Sequence, residues 1–192
     1  ALKEFYKLLQ PAATGYPLIR LGRSTDGGYL VPNCLSGIEC CVSPGVCEDY
    51  ELEELIANCY GISSVMCDPE HDPPENLHPL LHFDRLALSA TTCLSKKNIS
   101  LHDLLKKHNL EDSNPLMLSM DIEGMEYLIL PSISDWHRFR IVVMEIHFLS
   151  YLHTFEGQEN LEKVVRMFKT MLANFDIVHF RPNNHVPFLA GR

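Results

Sequence analysis

The chain has 192 residues, of which 46% are hydrophobic and 21% are charged, proportions typical of one folded domain with a full core. Its formal net charge of −9 disfavours nucleic acid and anionic lipid headgroups as partners. No apolar run reaches the roughly 18 residues that a membrane-spanning helix needs. The seven cysteines form no C-x-x-C pair, which argues against a structural zinc site. We predict a single domain over residues 1–192, without membrane insertion, in which neither the compartment (cytoplasmic or secretory) nor the oligomeric state is determined.

The sequence pattern changes at residue 38. Residues 1–37 are predicted to form an N-terminal extension, with a helix at 2–9 and a hairpin at 18–32 around the turn Asp26-Gly27-Gly28. From residue 38 to 192, short apolar runs alternate with helical patterns, which indicates parallel strands joined by crossover helices. Strands are predicted at 38–43, 63–67, 81–88, 116–122, 140–147 and 175–181. The predicted fold class is therefore α/β, a Rossmann-like three-layer sandwich around a mostly parallel sheet.

Three helices of this core have recognisable sequence signals. The first carries an apolar stripe from Leu52 to Cys59 and ends at Gly61. The second begins at Ser100, which forms a capping-box pattern with Asp103. The third is predicted over 159–174, and its buried face consists of Leu161, Val164, Val165, Phe168 and Leu172.

Residues that follow the first two core strands have the spacing of a ribose-binding site. Gly45 stands in the turn after the first strand, where exposed backbone N–H groups can hold an anionic group. Glu48 and Asp49 in the same turn are unfavourable for the pyrophosphate of a dinucleotide and tolerable for a cationic ligand. Asp68 follows the second strand at roughly the 20-residue spacing of an acid that binds ribose hydroxyls. A ribose with a cationic tail, as in S-adenosylmethionine, fits these residues better than NAD.

Acidic residues and a histidine follow the fourth and fifth core strands. Asp121, Glu123 and Glu126 come after the fourth strand. Alternation along the fifth strand places Glu145 and His147 on the same side. Because the ends of adjacent parallel strands lie about 5 Å apart, we expect Asp121, Glu123, Glu145 and His147 to meet in one pocket. Glu126 is expected to face away, towards a neighbouring helix.

The order and spacing of these residues resemble the FkbM-type methyltransferases, most closely the animal methyltransferase-like members. The resemblance spans residues 20 to about 184, and the segment Asp121-Ile122-Glu123-Gly124-Met125-Glu126 is its most specific part. The other matching elements are Asp26-Gly27-Gly28-Tyr29, Gly45-Val46 with Asp49 and Glu53, Asp68-Pro69, and Glu145-Ile146-His147.

The resemblance implies a class I methyltransferase fold that uses S-adenosylmethionine and releases S-adenosylhomocysteine. It implies that the residues contacting the cofactor are Gly45, Val46, Asp49, Asp68, Pro69 and Asp121. Such a fold ends in a sixth strand and an antiparallel seventh strand, so the last strand is expected to be missing, disordered or outside residues 1–192. The expected acceptor is a small molecule, such as a sugar, that is methylated on oxygen.

Three residues are the candidates for catalysis. An alcohol must lose its proton to accept a methyl group, and His147 is the first choice of base because imidazole titrates near neutral pH. Glu145 is expected to orient His147 or raise its pKa, and Asp121 is expected to lie beside both the methyl donor and the acceptor. Asp121 and Glu123 also offer oxygen ligands suited to Mg²⁺. Because the spacing supplies no third ligand, no metal site is predicted.

Two alternatives stay open at this point. Gly45 is the one glycine of the turn after the first core strand, and Pro44 and Cys47 stand where related enzymes often have small residues or glycine. This reduced turn and the short C-terminus are compatible with a catalytically inactive relative that keeps the fold as a binding module. A nucleotide-dependent oxidoreductase would use the same sheet topology, but Glu48 and Asp49 at the phosphate position disfavour it.

Overall fold

The computed structural model describes residues 2–24, 27–73, 75–153 and 160–181. In these residues the strands are β1 (Leu18–Leu21), β2 (Tyr29–Pro32), β3 (Cys40–Pro44), β4 (Ser63–Cys67), β5 (Leu81–Asp84), β6 (Ala87–Leu88), β7 (Asn98–Ile99), β8 (Leu116–Met120) and β9 (Phe139–Met144). The α-helices are α1 (Leu2–Leu8), α2 (Glu51–Tyr60), α3 (Leu101–Lys107), α4 (Glu126–Ile129) and α5 (Leu161–Leu172). Short 3₁₀ helices lie at Leu94–Lys96, Leu130–Ser132, Trp136–Arg138 and Leu149–His153.

The central sheet has five strands in the order β5-β4-β3-β8-β9, and all neighbouring pairs are parallel. Every residue of β3 and β8 is buried, as expected for strands that are covered on both faces. The strand order changes direction between β3 and β8. In a parallel sheet, this change leaves a crevice at the carboxyl ends of the two strands, where ligands bind.

Alternate residues of the central strands enter separate cores on the two faces of the sheet. Leu116 and Leu118 of β8 pack in the core that contains the apolar faces of α1, α3 and α5. Met117, between them, packs with α2 and with the hairpin formed by β1 and β2. The sheet is thus the middle layer of three. The carboxyl ends of its strands form one edge, called the upper edge below.

The predicted end of the first core helix and the predicted start of the second are confirmed. α2 ends at Gly61, whose N–H donates to the carbonyl of Ala57 at 3.1 Å. α3 begins after Ser100, whose hydroxyl accepts a hydrogen bond from the N–H of Asp103 at 3.2 Å. The end of α2 therefore forms for the reason that the local sequence indicates. At α3 the Ser100 cap is present, but the capping box is incomplete, because the N–H of Ser100 donates to the hydroxyl of Thr92 at 2.9 Å instead of to Asp103.

The third predicted helix is shorter, and its face is rotated. α5 covers Leu161–Leu172 rather than 159–174. Its buried residues are Leu161, Val164, Met167, Phe168 and Met171. Val165 and Leu172, predicted to be buried, are only partly covered. The helix meets α1 through an edge-on contact between the rings of Phe5 and Phe168, whose centroids are 5.2 Å apart.

Three strand predictions were too long. The strand predicted at 116–122 forms as β8 but ends at Met120. The strand predicted at 81–88 splits into β5 and β6, because the chain turns at Asp84, whose carbonyl accepts from the N–H of Leu86. β6 then pairs with β7 in a separate two-stranded sheet. β9 ends at Met144, before both Glu145 and His147, so the strand alternation that was expected to place them on one side does not extend to them.

The sixth strand, predicted at 175–181, is not formed in the described residues. The carbonyl of Ile177 accepts a hydrogen bond at 2.6 Å from the N–H of Ala12, in the N-terminal segment. The backbone of this segment is therefore engaged with the N-terminal part of the chain instead of extending the central sheet beyond β9. The expectation of a missing last strand concerns residues outside the described part.

The N-terminal hairpin is confirmed. β1 and β2 pair antiparallel from Leu18 with Pro32 to Leu21 with Tyr29. Asp26, in the predicted turn, lies outside the described residues.

None of the helices in the described part of the chain combines the length and the apolar character that crossing a bilayer requires.

Candidate active site

The residues that sequence analysis singled out lie in four segments at the carboxyl ends of β3, β4, β8 and β9. Backbone hydrogen bonds connect these segments. The N–H of Asp121 donates to the carbonyl of Pro44 at 3.2 Å, and the N–H of Glu145 donates to the carbonyl of Met120 at 2.9 Å. The segments after β3, β8 and β9 are thus held side by side at the upper edge of the sheet.

Gly45 joins the ends of three strands by close backbone contact. Its φ of 80° lies in the left-handed region, and its N–H donates to the carbonyl of Cys67 at 2.8 Å. A Cβ atom at this position would lie 1.6 Å from the carbonyl oxygen of Asp121. The turn can therefore pass over the end of β8 only because residue 45 has no side chain.

Asp68 is buried, with 4% of its surface exposed, and it organises the segments after β3 and β4. Its Oδ2 accepts from the N–H of Cys47 at 3.1 Å, and its Oδ1 accepts from the N–H groups of Glu70 and His71 at 2.9 and 3.0 Å. Burial alone would raise the pKa of Asp68, but the hydrogen bonds from Glu70, His71 and Cys47 outweigh it and lower the pKa. Asp68 is consequently an ionised acceptor at neutral pH.

The other residues proposed to contact a cofactor have different surroundings. The side chain of Val46 packs in an apolar cluster with Met66 and Leu81, so it shapes the turn from below. Pro69 is partly buried directly after Asp68. The carboxylate of Asp49 lies 3.0 Å from the guanidinium of Arg23, which connects the turn after β3 to the N-terminal hairpin.

His147 lies among three carboxylates at the ends of β8 and β9. Its Nδ1 is 3.0 Å from Oε1 of Glu126, and its Nε2 is 3.5 Å from both Oδ1 of Asp121 and Oε2 of Glu123. Glu126 is completely buried, whereas 78% of the Glu123 side chain is exposed. The structure thus brings together Asp121, Glu123 and His147, and it adds Glu126.

The surroundings shift the pKa values of Asp121 and His147 upwards. Burial, followed by the charge of Glu145, raises the pKa of Asp121 to about 7, although His147 opposes the shift. Burial lowers the pKa of His147, but its hydrogen bond to Glu126 and the nearby negative charges outweigh burial and raise it. A site with several carboxylates around one imidazole favours a positively charged ligand over an anionic one.

Glu145 lies where the hairpin meets this edge of the sheet. Its Oε1 accepts a hydrogen bond from the hydroxyl of Tyr29 at 3.4 Å. Its charge acts on Asp121, as described above. Tyr29 is part of the Asp-Gly-Gly-Tyr element of the sequence, so the structure connects that element to the acidic cluster.

The buried contact from Glu126 to His147 was not anticipated, and the expectation that Glu126 faces away is wrong. Glu126 is the first residue of α4, and Ile129 and Leu130, three and four positions later, are both buried. Residues at this spacing share one face of a helix. The spacing of Glu126 from Ile129 and Leu130 therefore predicts that all three side chains lie on the buried face of the helix.

Among the residues that the structure describes, two groups of side chains bring potential metal-binding atoms within 4.8 Å of one another: Asp121, Glu126 and His147, and Cys47, Asp68 and His71. In both groups a ring nitrogen of the histidine already contacts a carboxylate, His147 with Glu126 at 3.0 Å and His71 with Asp68 at 2.9 Å. The predicted absence of a metal site stays a prediction.

Glu53 is a buried acid beneath the turn after β3. Only 3% of its surface is exposed, and its Oε1 accepts a hydrogen bond from the hydroxyl of Ser43. Burial raises the pKa of Glu53 from 4.5 to about 7, while the hydrogen bond from Ser43 opposes the shift. Folding thus takes up a proton at pH values between these two numbers.

Protein stability should depend on this proton. We compare the free energies of unfolding of Glu53→Gln and the wild type. Relative to the wild type, the variant should become more stable by about 2–3 kcal/mol as the pH rises from about 5 to about 8. The wild type loses stability as the pH rises from about 4.5 to about 7, because the carboxyl group ionises in the unfolded state while it stays protonated in the buried site. Above the folded pKa both states are charged and the loss is complete, whereas glutamine does not titrate. Urea denaturation at several pH values measures the difference.

The control is Glu54→Gln on the exposed side of the same helix, for which no such pH dependence is expected. A constant difference between Glu53→Gln and the wild type at all pH values would contradict the prediction.

Comparison with known protein families connects this site to an enzyme class. A sequence model described as the methyltransferase FkbM domain matches residues 50–178, which is more than half of the chain. The matched region contains Asp68, Asp121 and His147, whereas Gly45 precedes it. Searches of curated proteins and of solved structures found no match. Together with the five-stranded parallel sheet, the family match confirms the resemblance and the α/β, Rossmann-like fold class predicted from the sequence.

Proposed function

We propose that this chain, which belongs to the methyltransferase FkbM family, transfers a methyl group from S-adenosylmethionine to a hydroxyl group of a small, sugar-like acceptor. The observation that carries the proposal is the cluster of Asp121, Glu123, Glu126 and His147 beside the Gly45 turn. This edge of the sheet combines a position for a cationic ligand with a group that accepts a proton.

The residues of the site fit this cofactor. The backbone at Gly45 has no side chain above it, so a ligand can approach the turn closely. Oδ2 of Asp68 accepts one hydrogen bond within the described part of the chain, so it retains acceptor capacity for a ribose hydroxyl. Oδ1 of Asp121 is buried and has no hydrogen bond there, and it would attract the positive charge of the cofactor. When bound, S-adenosylmethionine supplies an electrophilic methyl group and leaves as S-adenosylhomocysteine.

Charge also selects the acceptor. Asp121, Glu123 and Glu145 repel an anionic acceptor such as a phosphate, while carboxylates accept hydrogen bonds from neutral hydroxyl groups. We assign the deprotonation of the acceptor hydroxyl to Nε2 of His147, on which the proton ends. Asp121, 3.5 Å from that nitrogen, stabilises the positive charge that the imidazole then carries. Base catalysis of this type contributes about 10²–10⁴-fold to the rate.

The test is a calorimetric titration of the purified protein with S-adenosylhomocysteine, with NADH as the control ligand. The proposal predicts saturable binding of S-adenosylhomocysteine in the micromolar range and no binding of NADH. If the folded protein binds neither ligand, the assignment as an active methyltransferase is wrong, and an inactive binding module of the same fold is favoured. Tight binding of NADH alone would favour an oxidoreductase.

A further inference from the structure

The imidazole of His147 is held from one side by a buried carboxylate. Nδ1 of His147 lies 3.0 Å from Oε1 of Glu126, and the same oxygen accepts from the N–H of Ile122 at 3.3 Å. None of the Glu126 side chain is exposed. Burial and the backbone hydrogen bond restrict this carboxylate to one position, so it can fix the orientation of the ring.

The next residue of α4 holds the backbone of His147. The hydroxyl of Tyr127 donates to the carbonyl oxygen of His147 at 2.5 Å. His147 follows the end of β9 at Met144, so regular strand hydrogen bonds do not position it. Two consecutive residues of α4 position His147 instead of the sheet. Glu126 contacts its ring, and Tyr127 contacts its main chain.

We propose that Glu126 is a positioning residue that keeps the proton of His147 on Nδ1, so that the lone pair of Nε2 faces Asp121 and the acceptor. A carboxylate can only accept hydrogen bonds, so Nδ1 donates across the 3.0 Å contact with Glu126. In the described part of the chain Nε2 makes no such bond, because the oxygens of Asp121 and Glu123 are each 3.5 Å away. A neutral imidazole carries one ring proton, and its other nitrogen is then the base. This inference rests on the proposed function. When Nε2 takes the hydroxyl proton, the charge that forms on the ring is balanced by Glu126, which does not itself touch the acceptor.

Other charged groups act on the same ring from the segment after β8. Asp121 and Glu123 lie 3.5 Å from Nε2, the nitrogen opposite the one that Glu126 contacts. Glu145, at the end of β9, acts on Asp121. Among the described contacts, Glu126 is the one group that contacts Nδ1. Its effect on the tautomer can therefore be separated from the effects of the groups near Nε2.

The experiment is NMR of the full chain with ¹⁵N-labelled histidine, in which two-bond couplings report the tautomer of each imidazole. His147→Gln assigns the signal of His147. In the wild type, we expect neutral His147 to carry its proton on Nδ1. In Glu126→Gln, loss of the negative charge should lower the titration midpoint of His147 by about one pH unit or more. The control Glu145→Gln removes a carboxylate near the same edge of the sheet and should have a smaller effect.

Three outcomes would overturn the proposal. The first is a wild-type tautomer with the proton on Nε2, a readout that does not depend on whether Glu126→Gln folds. The second is an equal shift of the midpoint in Glu145→Gln and Glu126→Gln. The third is broadening of the His147 signals by added Mn²⁺ that disappears in Glu126→Gln, because Glu126 would then be a metal ligand. Titration of the same wild-type sample with S-adenosylhomocysteine shows separately whether the proposed function fails.

Discussion

We expect Gly45→Ala to lower the free energy of unfolding by about 2–5 kcal/mol and to abolish measurable binding of S-adenosylhomocysteine. The φ of 80° at this position is unfavourable for alanine. The new Cβ would overlap the carbonyl oxygen of Asp121 at 1.6 Å, and this atom belongs to backbone, which cannot rotate away. The ends of β3 and β8 would have to separate, and the site between them would be lost. Urea denaturation and calorimetry measure the two effects.

The matched control is Gly61→Ala. Gly61 also has a positive φ, of 66°, but a Cβ there would meet no atom within 4 Å. This variant should lose only about 1 kcal/mol from backbone conformation and keep its affinity for S-adenosylhomocysteine. Equal losses of stability in the two variants would show that the contact with Asp121 is unimportant.

We expect Asp68→Ala to weaken the binding of S-adenosylhomocysteine about 30- to 100-fold. The carboxylate is proposed to accept from the ribose, and hydrogen bonds to a charged group contribute about 1.5–3 kcal/mol each. The variant also removes the acceptor of the N–H groups of Cys47, Glu70 and His71, so the turn would lose its shape. Calorimetric titration of the variant measures the loss.

The control for this variant is Asp72→Ala in the same loop. Asp72 is exposed and pairs with Arg85 at 2.8 Å, so its removal should change the affinity less than about twofold. His147→Ala tests the division of roles: it should spare binding and reduce methyl transfer by about 10²–10⁴-fold. Equal losses of binding in Asp68→Ala and His147→Ala would contradict this division.

The strands of the central sheet were predictable because each needs a continuous apolar run. β4 has the predicted boundaries, 63–67, and β3 and β8 are buried throughout, as their sequences require. The segment 175–181, in which apolar residues are interrupted by Asp176, His179 and Arg181, forms no strand. Its backbone is bound to the N-terminal segment through Ala12, a partner that is distant in the sequence and leaves no local signal.

The candidate site was likewise only partly predictable, because some of its contacts join segments that are distant in the sequence. Asp121 and His147 were identified because they follow apolar strands and match a family pattern, and the structure brings them together. Strand alternation predicted that His147 and Glu145 lie on the same side. Because β9 ends at Met144, this alternation does not extend to either residue. The imidazole instead contacts Glu126, which approaches from α4.

By itself, the sequence determined the α/β fold class, the family and the strand ends at which the polar residues stand. These features follow from local periodicity and from short motifs. Tertiary structure alone decided which carboxylate holds the ring of His147 and that the backbone of Asp121 leaves no room for a side chain at residue 45. These contacts join segments that are distant in the chain, and their geometry depends on where each strand ends and how the next segment packs against it.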